Sequence, residues 1–401
     1  MKRLHLTSIA TLLFLLQPGA AQTVDPGVLT GLDVLVREHF APLRGLRIGL
    51  ITNQTGIDKD RRTVIDLLHE APGVTLVALF SPEHGIRGVK DEKVADTRDD
   101  RTGLPIFSLY GERRAPTPEQ LANIDALVFD LQDVGCRFYT YISTLGECLS
   151  ACEKASKSFI VLDRPNPITG VTVEGPVLAA NRSFTAWHEL PLRTGMTLGE
   201  LAKMFVAERV PGAKLTVIPC QGWKRGGWFD ETGLPWENPS PNMRSLAAAL
   251  LYPGVGLLEF CNISVGRGTE RPFEFLGAPY INDREFAKAL RGWQLPGIRF
   301  TPVRFTPGSS KFAHQPCGGV EMHVLDRAAF RSIDLGIILA LTLQRLHPAE
   351  FQIERLSKLL AHPPTLEAIR AGKSLPEIRV LWQKDLVAFQ TRRQSFLIYK
   401  E

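Results

Sequence analysis

The sequence has few of the features that mark membrane or nucleic-acid proteins. Apart from an apolar run at residues 6–16, it contains no long hydrophobic stretch, so we expect no membrane span beyond that run. Positive charge is also sparse, because lysine and arginine exceed aspartate and glutamate by only five and the dense basic runs are as short as Arg392-Arg393. We therefore expect no nucleic-acid partner. Six cysteines without a framework spacing favour buried thiols over a disulfide scaffold.

The common catalytic and cofactor motifs are missing as well. Gly254 and Gly256 are followed by Glu259 where a dinucleotide-binding loop needs a third glycine, and no P-loop occurs. The serine-hydrolase elbow GxSxG, the zinc motif HExxH and the redox motif CxxC are absent too. Isolated histidines such as His188 and His314 lack the spacing of metal ligands. We predict neither a metal nor a cofactor.

The N-terminus has the pattern of a targeting segment. Lys2 and Arg3 precede the apolar run, and small residues suited to cleavage follow it up to Ala21. We predict a signal peptide over residues 1–21 and an exported protein that is periplasmic or secreted. The remaining length is too great for one small core. We therefore predict a catalytic domain over residues 24–285 and a smaller α+β domain over residues 286–401, the latter ending in a polar tail.

Strand-like apolar runs alternate with helical segments through the first half of the chain. The runs are residues 46–51, 74–80, 104–110, 126–131, 159–162 and 214–219. This alternation predicts βαβ units with right-handed crossovers. The fold class we expect is α/β, with a Rossmann-like, mostly parallel sheet and a second, smaller C-terminal domain.

Polar side chains follow four of the predicted strands at the point where each strand ends. In chain order they are Asn53, then Glu83 and His84, then Asp133, Arg137 and Tyr139, and finally Asp163, Arg164 and Asn166. The carboxyl ends of parallel strands lie at one edge of a sheet, where ligands bind. The sequence therefore predicts one shared site.

Carboxyl groups are the strongest candidates for chemistry at that edge. Glu83 lies between Pro82 and His84 at the end of a buried strand, a setting suited to the general acid of glycosidic cleavage. Asp133 and Glu174 are candidates for a second carboxylate, and Tyr139 is a candidate hydrogen-bond donor or nucleophile. The predicted catalytic residues are Glu83, His84, Asp133 and Tyr139.

Several arginines on the predicted loops favour an anionic substrate. The residues that we expect to bind substrate are Asn53, Arg87, Arg137, Arg164, Asn166, Glu174, Asn242 and Arg267. Residues 87–103 form a long charged loop that is a candidate lid. Tryptophans between residues 223 and 236 either stack on a sugar face or pack beneath loops.

Nine sequence blocks resemble the bacterial exo-β-N-acetylmuramidases, glycoside hydrolases long catalogued as a domain of unknown function. The blocks are LITNQTG (50–56), LFSPEHGIRG (79–88), TGLPIFSLYG (102–111), LVFDLQDVGCRFYTYISTL (127–145), VLDRPNPITG (161–170), VEGPVL (173–178), GMTLGELA (195–202), GLPWENPSPNM (233–243) and GRGTERPFEFLGAP (266–279). The resemblance implies release of N-acetylmuramic acid from the non-reducing ends of peptidoglycan fragments. It also implies a Rossmann-like domain separated by a cleft from a smaller C-terminal domain.

The resemblance extends to individual residues. The glutamate of the family's SPEHG block falls on Glu83, and its QDVG-R-YTY block falls on Asp133, Arg137 and Tyr139. Its DRPNP block falls on Asp163, Arg164 and Asn166. The chain departs from the family at Val265, where an acidic residue is common, which puts a substrate contact at that position in doubt.

Two other functions fit the same residues. One is a metal-dependent deacetylase or amidase of muropeptides, with Glu83 and His84 as the start of a metal site. The other is a muropeptide-binding protein without catalytic activity. A muramidase needs no second protein carboxylate if the substrate's own 2-acetamido group assists.

Overall fold

The computed structural model describes residues 27–86 and 96–401. The predicted signal peptide, Arg87 and most of the predicted lid lie outside these residues. In chain order the N-terminal part comprises α1 (Gly31–Arg37), β1 (Arg47–Thr52), α2 (Val64–His69), β2 (Thr75–Ser81), β3 (Thr97–Arg98), β4 (Pro105–Ser108), α3 (Pro118–Ala122), β5 (Ala126–Asp130), α4 (Tyr141–Lys154), β6 (Ser158–Leu162), β7 (Glu174–Val177), β8 (Pro191–Arg193), α5 (Leu198–Glu208) and β9 (Lys214–Ile218).

A seven-stranded sheet forms the centre of this part, with the order β3-β4-β2-β1-β5-β6-β9. Only the short edge strand β3 pairs antiparallel with its neighbour, and the other neighbours are parallel. The chain runs outward from β1 to β4 on one side and then returns to β5 on the other. The prediction of a Rossmann-like, mostly parallel sheet is confirmed. In such a sheet, ligands bind beyond the carboxyl ends of the strands near this reversal.

The sheet is buried on both faces because its strands carry apolar residues at successive positions. In β5, Ala126 and Val128 belong to one hydrophobic cluster, whereas Leu127 and Phe129 belong to the other. The first cluster contains side chains of α1 and α2, and the second contains side chains of α4 and α5. Alternating side-chain direction along each strand thus builds two cores, which is the arrangement of a doubly wound fold.

The rest of the chain surrounds a second, smaller sheet. Its elements are α6 (Leu246–Val255), β10 (Phe275–Ala278), α7 (Asp283–Arg291), β11 (Ile298–Phe305), β12 (Cys317–Val324), α8 (Ser332–Leu346), α9 (Ser357–Leu360), α10 (Pro363–Arg370) and α11 (Leu375–Arg393). The three strands pair antiparallel in the order β10-β12-β11. The predicted boundary at residues 285–286 falls inside α7, which packs on this sheet.

The predicted polar tail after residue 347 is wrong, because three helices follow. The longest, α11, buries Ile378, Trp382 and Phe389 but exposes other apolar side chains such as Val380 and Val387. Apolar residues therefore lie on more than one side of α11. That distribution hides the 3.6-residue period by which a helix is recognised in a sequence.

The last residues of the chain pack into the N-terminal part. The Tyr399 hydroxyl donates to Asp163 Oδ2 at 2.5 Å, and the Ile398 amide donates to Glu200 Oε1 at 2.8 Å. Asp163 follows β6 directly and is fully buried. The Asp163 carboxyl group, which the sequence analysis assigned to the shared site, thus accepts a hydrogen bond from the chain's own C-terminal segment.

Two further expectations concern the described residues. All six cysteines are free and buried, as the absence of a framework spacing predicted. Within residues 27–86 and 96–401, no helix has the length and apolar character needed to cross a membrane.

We expect Tyr399→Phe to destabilise the protein in a pH-dependent way. Burial raises the pKa of Asp163 from 3.8 to about 6, so ionisation of this carboxyl lowers the stability of the folded state as the pH rises through that range. Removing a donor raises this pKa further. Urea denaturation should show a loss of about 1–3 kcal/mol in the free energy of unfolding at pH 7.5 and a smaller loss at pH 5.

Tyr280→Phe is the matched control for this measurement. The Tyr280 hydroxyl donates to the neutral backbone carbonyl of Asn262 at 3.0 Å, so its removal should cost the same at both pH values. Equal losses for Tyr399→Phe at pH 5 and pH 7.5 would contradict the interaction with Asp163.

Candidate active site

A cavity of about 710 Å³ lies beyond the carboxyl ends of the parallel strands. One wall consists of loops that follow β2, β4 and β5, contributing Glu83, Tyr110 and Tyr139 among others. The opposite wall comes from the C-terminal part, which contributes Tyr252 and Lys311 among others. The cavity therefore requires both parts of the chain.

Glu83 reaches this cavity from the loop after β2 and is half-buried. Its Oε2 atom accepts a hydrogen bond of 2.5 Å from the hydroxyl of Thr140, the residue that precedes α4. This contact fixes the orientation of the carboxyl group and is compatible with either protonation state, because a carboxyl keeps an accepting oxygen in both. His84 also lines the cavity, with φ at 74°. Such a left-handed conformation is uncommon for a residue other than glycine and often marks a functional loop.

Glu259 is a second carboxyl group in the same cavity, and the sequence analysis did not predict its role. Its Oε1 atom accepts from Arg267 Nη1 at 3.0 Å, and its Oε2 atom accepts from the Tyr252 hydroxyl at 3.4 Å. Burial raises the pKa of Glu259, an effect that the Arg267 guanidinium opposes. Glu259 directly follows the apolar stretch 246–258. This isolated charge was the only feature of the local sequence that could have indicated a functional role.

Tyr139 lines the cavity, with its ring packed edge-on against Tyr141 and Tyr252 at centroid distances of 5.0 and 5.8 Å. Burial raises the pKa of the Tyr139 phenol well above its ordinary value. The hydroxyl therefore stays protonated and suits a hydrogen-bond donor better than a nucleophile.

Asp133 and Glu174 do not line the cavity. Asp133 is buried and accepts from the Gly135 amide at 2.6 Å. Glu174 forms a buried ion pair with Arg193 at 2.8 Å and accepts from the Ile333 amide at the start of α8. Neither of the two predicted second carboxylates, Asp133 and Glu174, therefore lines the cavity that Glu83 lines. The second carboxyl group in that cavity belongs to Glu259.

Most of the predicted substrate-binding residues are structural. Arg137 is 1% exposed and donates to the backbone carbonyls of Pro176, Leu190, Leu359 and Leu360. Arg164 forms a buried ion pair with Asp130 at 2.6 Å.

The buried asparagines also hold protein rather than substrate. Asn53 donates to the Tyr141 hydroxyl at 2.7 Å, and Asn166 donates to the Met196 carbonyl at 2.9 Å. Of the predicted binding residues that the structure describes, only Asn242 and Arg267 line the cavity.

The tryptophans of the stretch from residue 223 to residue 236 pack against other side chains of the protein, and Trp223 is buried. Trp223 contacts the Tyr399 ring at 4.9 Å, and Trp236 contacts the Phe229 ring at 5.2 Å. Arg327 stacks over Trp228 at 4.7 Å. None of the three lines the cavity. The aromatic side chains at its rim are instead Phe184 and Phe260, which the sequence analysis did not single out.

Among residues 27–86 and 96–401, no three histidine, cysteine, aspartate or glutamate side chains form a group that could hold a metal ion. The described surroundings of His84 therefore supply no further ligands of these types.

Comparisons with known proteins agree along almost the whole chain. Residues 48–247 match the family described as "Exo-beta-N-acetylmuramidase NamZ, N-terminal", and residues 250–399 match its C-terminal counterpart. The chain is 42% identical over 380 residues to the peptidoglycan beta-N-acetylmuramidase NamZ of Bacillus subtilis strain 168, covering 93% of this chain and 92% of that protein.

Two crystal structures of DUF1343 family proteins from Bacteroides fragilis NCTC 9343 are similar in fold. The first has a TM-score of 0.87 at 37% identity and the second a TM-score of 0.76 at 31% identity. Each comparison covers 93% of this chain and 99% of the other.

The position of Asp133 outside the cavity predicts that Asp133→Asn keeps its activity. Burial raises the pKa of Asp133 from 3.8 to about 7. The protonated Asp133 carboxyl group therefore makes its full contribution to the stability of the folded wild-type protein below about pH 4. This contribution is lost as the pH rises through about 7. Asparagine still accepts from the Gly135 amide but does not ionise. We expect turnover within a few-fold of wild type and a smaller fall in the free energy of unfolding between pH 5 and pH 8.

Asp125→Asn is the control because the pKa of Asp125 is lowered, whereas that of Asp133 is raised. The Arg47 guanidinium holds the pKa of Asp125 at about 2, so this residue stays ionised from pH 5 to pH 8. Its replacement should leave the pH dependence in that interval unchanged. A hundredfold loss of turnover in Asp133→Asn would return Asp133 to the catalytic machinery.

Proposed function

The chain belongs to the exo-β-N-acetylmuramidase family, and we propose that Glu83 is the proton donor with which it cleaves the glycosidic bond of terminal N-acetylmuramic acid. As a member of this family the protein is a glycoside hydrolase. Its substrate in this proposal is the non-reducing end of peptidoglycan fragments, which agrees with the exo-acting family and with the peptidoglycan beta-N-acetylmuramidase of Bacillus subtilis. The observation that supports the proposal is the presence of two glutamates, Glu83 and Glu259, in one cavity.

Two carboxyl groups supply what glycosidic cleavage requires. Glu83 transfers a proton to the glycosidic oxygen as the bond from C1 to that oxygen breaks, and the bonding electron pair stays with the oxygen. C1 is then attacked by water or by the carbonyl oxygen of the substrate's 2-acetamido group. Glu259 takes the proton that the attacking water, or the acetamido nitrogen, must release.

Glu83 and Glu259 are held by different kinds of hydrogen-bond donor. Thr140 holds Glu83 through a neutral hydroxyl, whereas Arg267 holds Glu259 through a charge. Burial raises the pKa of Glu259 while the neighbouring Arg267 limits that rise, and in this proposal Glu259 is the proton acceptor. In this proposal the protonated hydroxyl of Tyr139, which lines the same cavity, donates a hydrogen bond to a sugar oxygen.

We also propose that the protein is exported to the periplasm or the medium, because residues 1–21 have the pattern of a signal peptide. The N-terminus of protein recovered from outside the cytoplasm should begin shortly after Ala21 by mass spectrometry. An intact N-terminus on cytoplasmic protein would argue against export.

Glu83→Gln should remove the proton donor while keeping the size of the side chain. We expect kcat/KM on a disaccharide with terminal N-acetylmuramic acid to fall by about 10²–10⁴-fold. On a 4-nitrophenyl glycoside the loss should be much smaller, because nitrophenolate leaves without protonation. Steady-state assays on both substrates measure this difference.

Glu119→Gln provides the control, since Glu119 is exposed on α3 and does not line the cavity. It should leave both substrates unaffected. Activity of Glu83→Gln within tenfold of wild type on the disaccharide would remove Glu83 from the mechanism. Glu259→Gln should instead slow both substrates alike, because its proton transfer does not involve the leaving group.

A further inference from the structure

The cavity contains three described cations with different surroundings. They are Arg114, Arg267 and Lys311. Arg267 forms an ion pair with Glu259 at 3.0 Å. Lys311 donates through Nζ to the backbone carbonyls of Glu259 and Cys261 and is half-buried. Arg267 and Lys311 therefore both bind groups on the wall of the cavity that carries Glu259.

Arg114 differs from the other two. It lies in the loop between β4 and α3, at the exposed rim of the cavity. Within residues 27–86 and 96–401, no carboxylate forms an ion pair with it, whereas the neighbouring Arg113 pairs with Asp96 at 2.6 Å. Arg114 thus adds a positive charge to the cavity that no described carboxylate neutralises.

The contact that Arg114 does make leaves its hydrogen-bond donors available. Its guanidinium carbon lies 4.4 Å from the centre of the Phe184 ring. A cation–π contact is made with the face of an aromatic ring and not with a hydrogen-bond acceptor, so N–H groups of the guanidinium stay available for other partners. The contact with Phe184 therefore positions the guanidinium and leaves donors for a ligand. A guanidinium held in this way suits bidentate recognition of a carboxylate.

We propose that Arg114 binds the carboxylate of the lactyl group of N-acetylmuramic acid and so distinguishes this sugar from N-acetylglucosamine. The inference rests on the proposed function, because it takes the terminal muramic acid as the occupant of the cavity. The two sugars differ by the lactyl ether, whose carboxylate is the only charge on the monosaccharide. Arg114 is a cation of this cavity that has no carboxylate partner among the described residues, and its charge is opposite to that of the lactyl group.

The test compares three 4-nitrophenyl β-glycosides. They carry N-acetylmuramic acid, the same sugar with its lactyl carboxylate converted to a neutral methylamide, and N-acetylglucosamine. Wild-type protein should prefer the acid over the methylamide by roughly ten- to a hundredfold in kcat/KM, the range of one charge-assisted hydrogen-bonding pair. Arg114→Met should bring that ratio close to one, mainly through KM on the acid.

Two further variants make the result specific. Arg114→Lys keeps the charge but loses the planar fork, so it should retain part of the preference. Arg113→Met removes a neighbouring arginine that does not line the cavity and should keep the wild-type ratio. An Arg114→Met protein that retains the wild-type ratio, or that slows all three glycosides equally, would overturn the proposal.

Calorimetry separates this proposal from the proposed function. N-acetylmuramic acid itself should bind wild type at least about tenfold more tightly than it binds Arg114→Met, while N-acetylglucosamine should bind both alike. If wild type cleaves none of the glycosides but shows this difference in binding, the assignment of catalysis fails and the role of Arg114 stands. Equal affinities of wild type and Arg114→Met for the muramic acid would overturn the role of Arg114.

Discussion

The site depends on one geometric constraint, which is that the strands of a parallel sheet all end at the same edge. Loops that are far apart in the sequence, those after β2, β4 and β5, consequently meet at one cavity. The sheet itself contributes no chemistry, because its side chains are buried in the two hydrophobic cores. Its function is to present Glu83 and Tyr139 from backbone that is held on both sides.

The same constraint explains how much the sequence predicted. The α/β pattern, the parallel sheet and the position of Glu83 follow from local periodicity and from residues that end strands, and all three appear in the structure. The arginines and asparagines of neighbouring loops were assigned to the substrate, however, and most of them hold protein instead. Arg137 donates to four carbonyls, and Asn166 donates to the Met196 carbonyl. A buried polar group must be paired, and sequence alone does not reveal whether its partner is the substrate or the chain.

Two charged residues that sequence reasoning missed, Glu259 and Lys311, come from the other wall of the cavity. Glu259 and Lys311 lie far from Glu83 in the sequence. They line the same cavity as Glu83 because the C-terminal part packs against the edge of the sheet. The close approach of α6 and α8 illustrates how specific this packing is, since a Cβ atom on Gly254 would lie 1.9 Å from the Ser332 carbonyl oxygen. No periodicity within α6 encodes that contact. The positions of Tyr252 and Glu259, at the end of α6 and just beyond it, follow from tertiary structure alone.

The two glutamates gain different properties from the two walls that carry them. Glu83 stands on the sheet edge and is oriented by a neutral hydroxyl, whereas Glu259 stands on the C-terminal wall beside Arg267. Burial raises the pKa of Glu259, and Arg267 opposes that rise without cancelling it. Packing the C-terminal part on the sheet thus does more than close the cavity. It brings a half-buried carboxyl group that pairs with Arg267 into the same cavity as one that is held by a hydroxyl group, so the two glutamates have different surroundings.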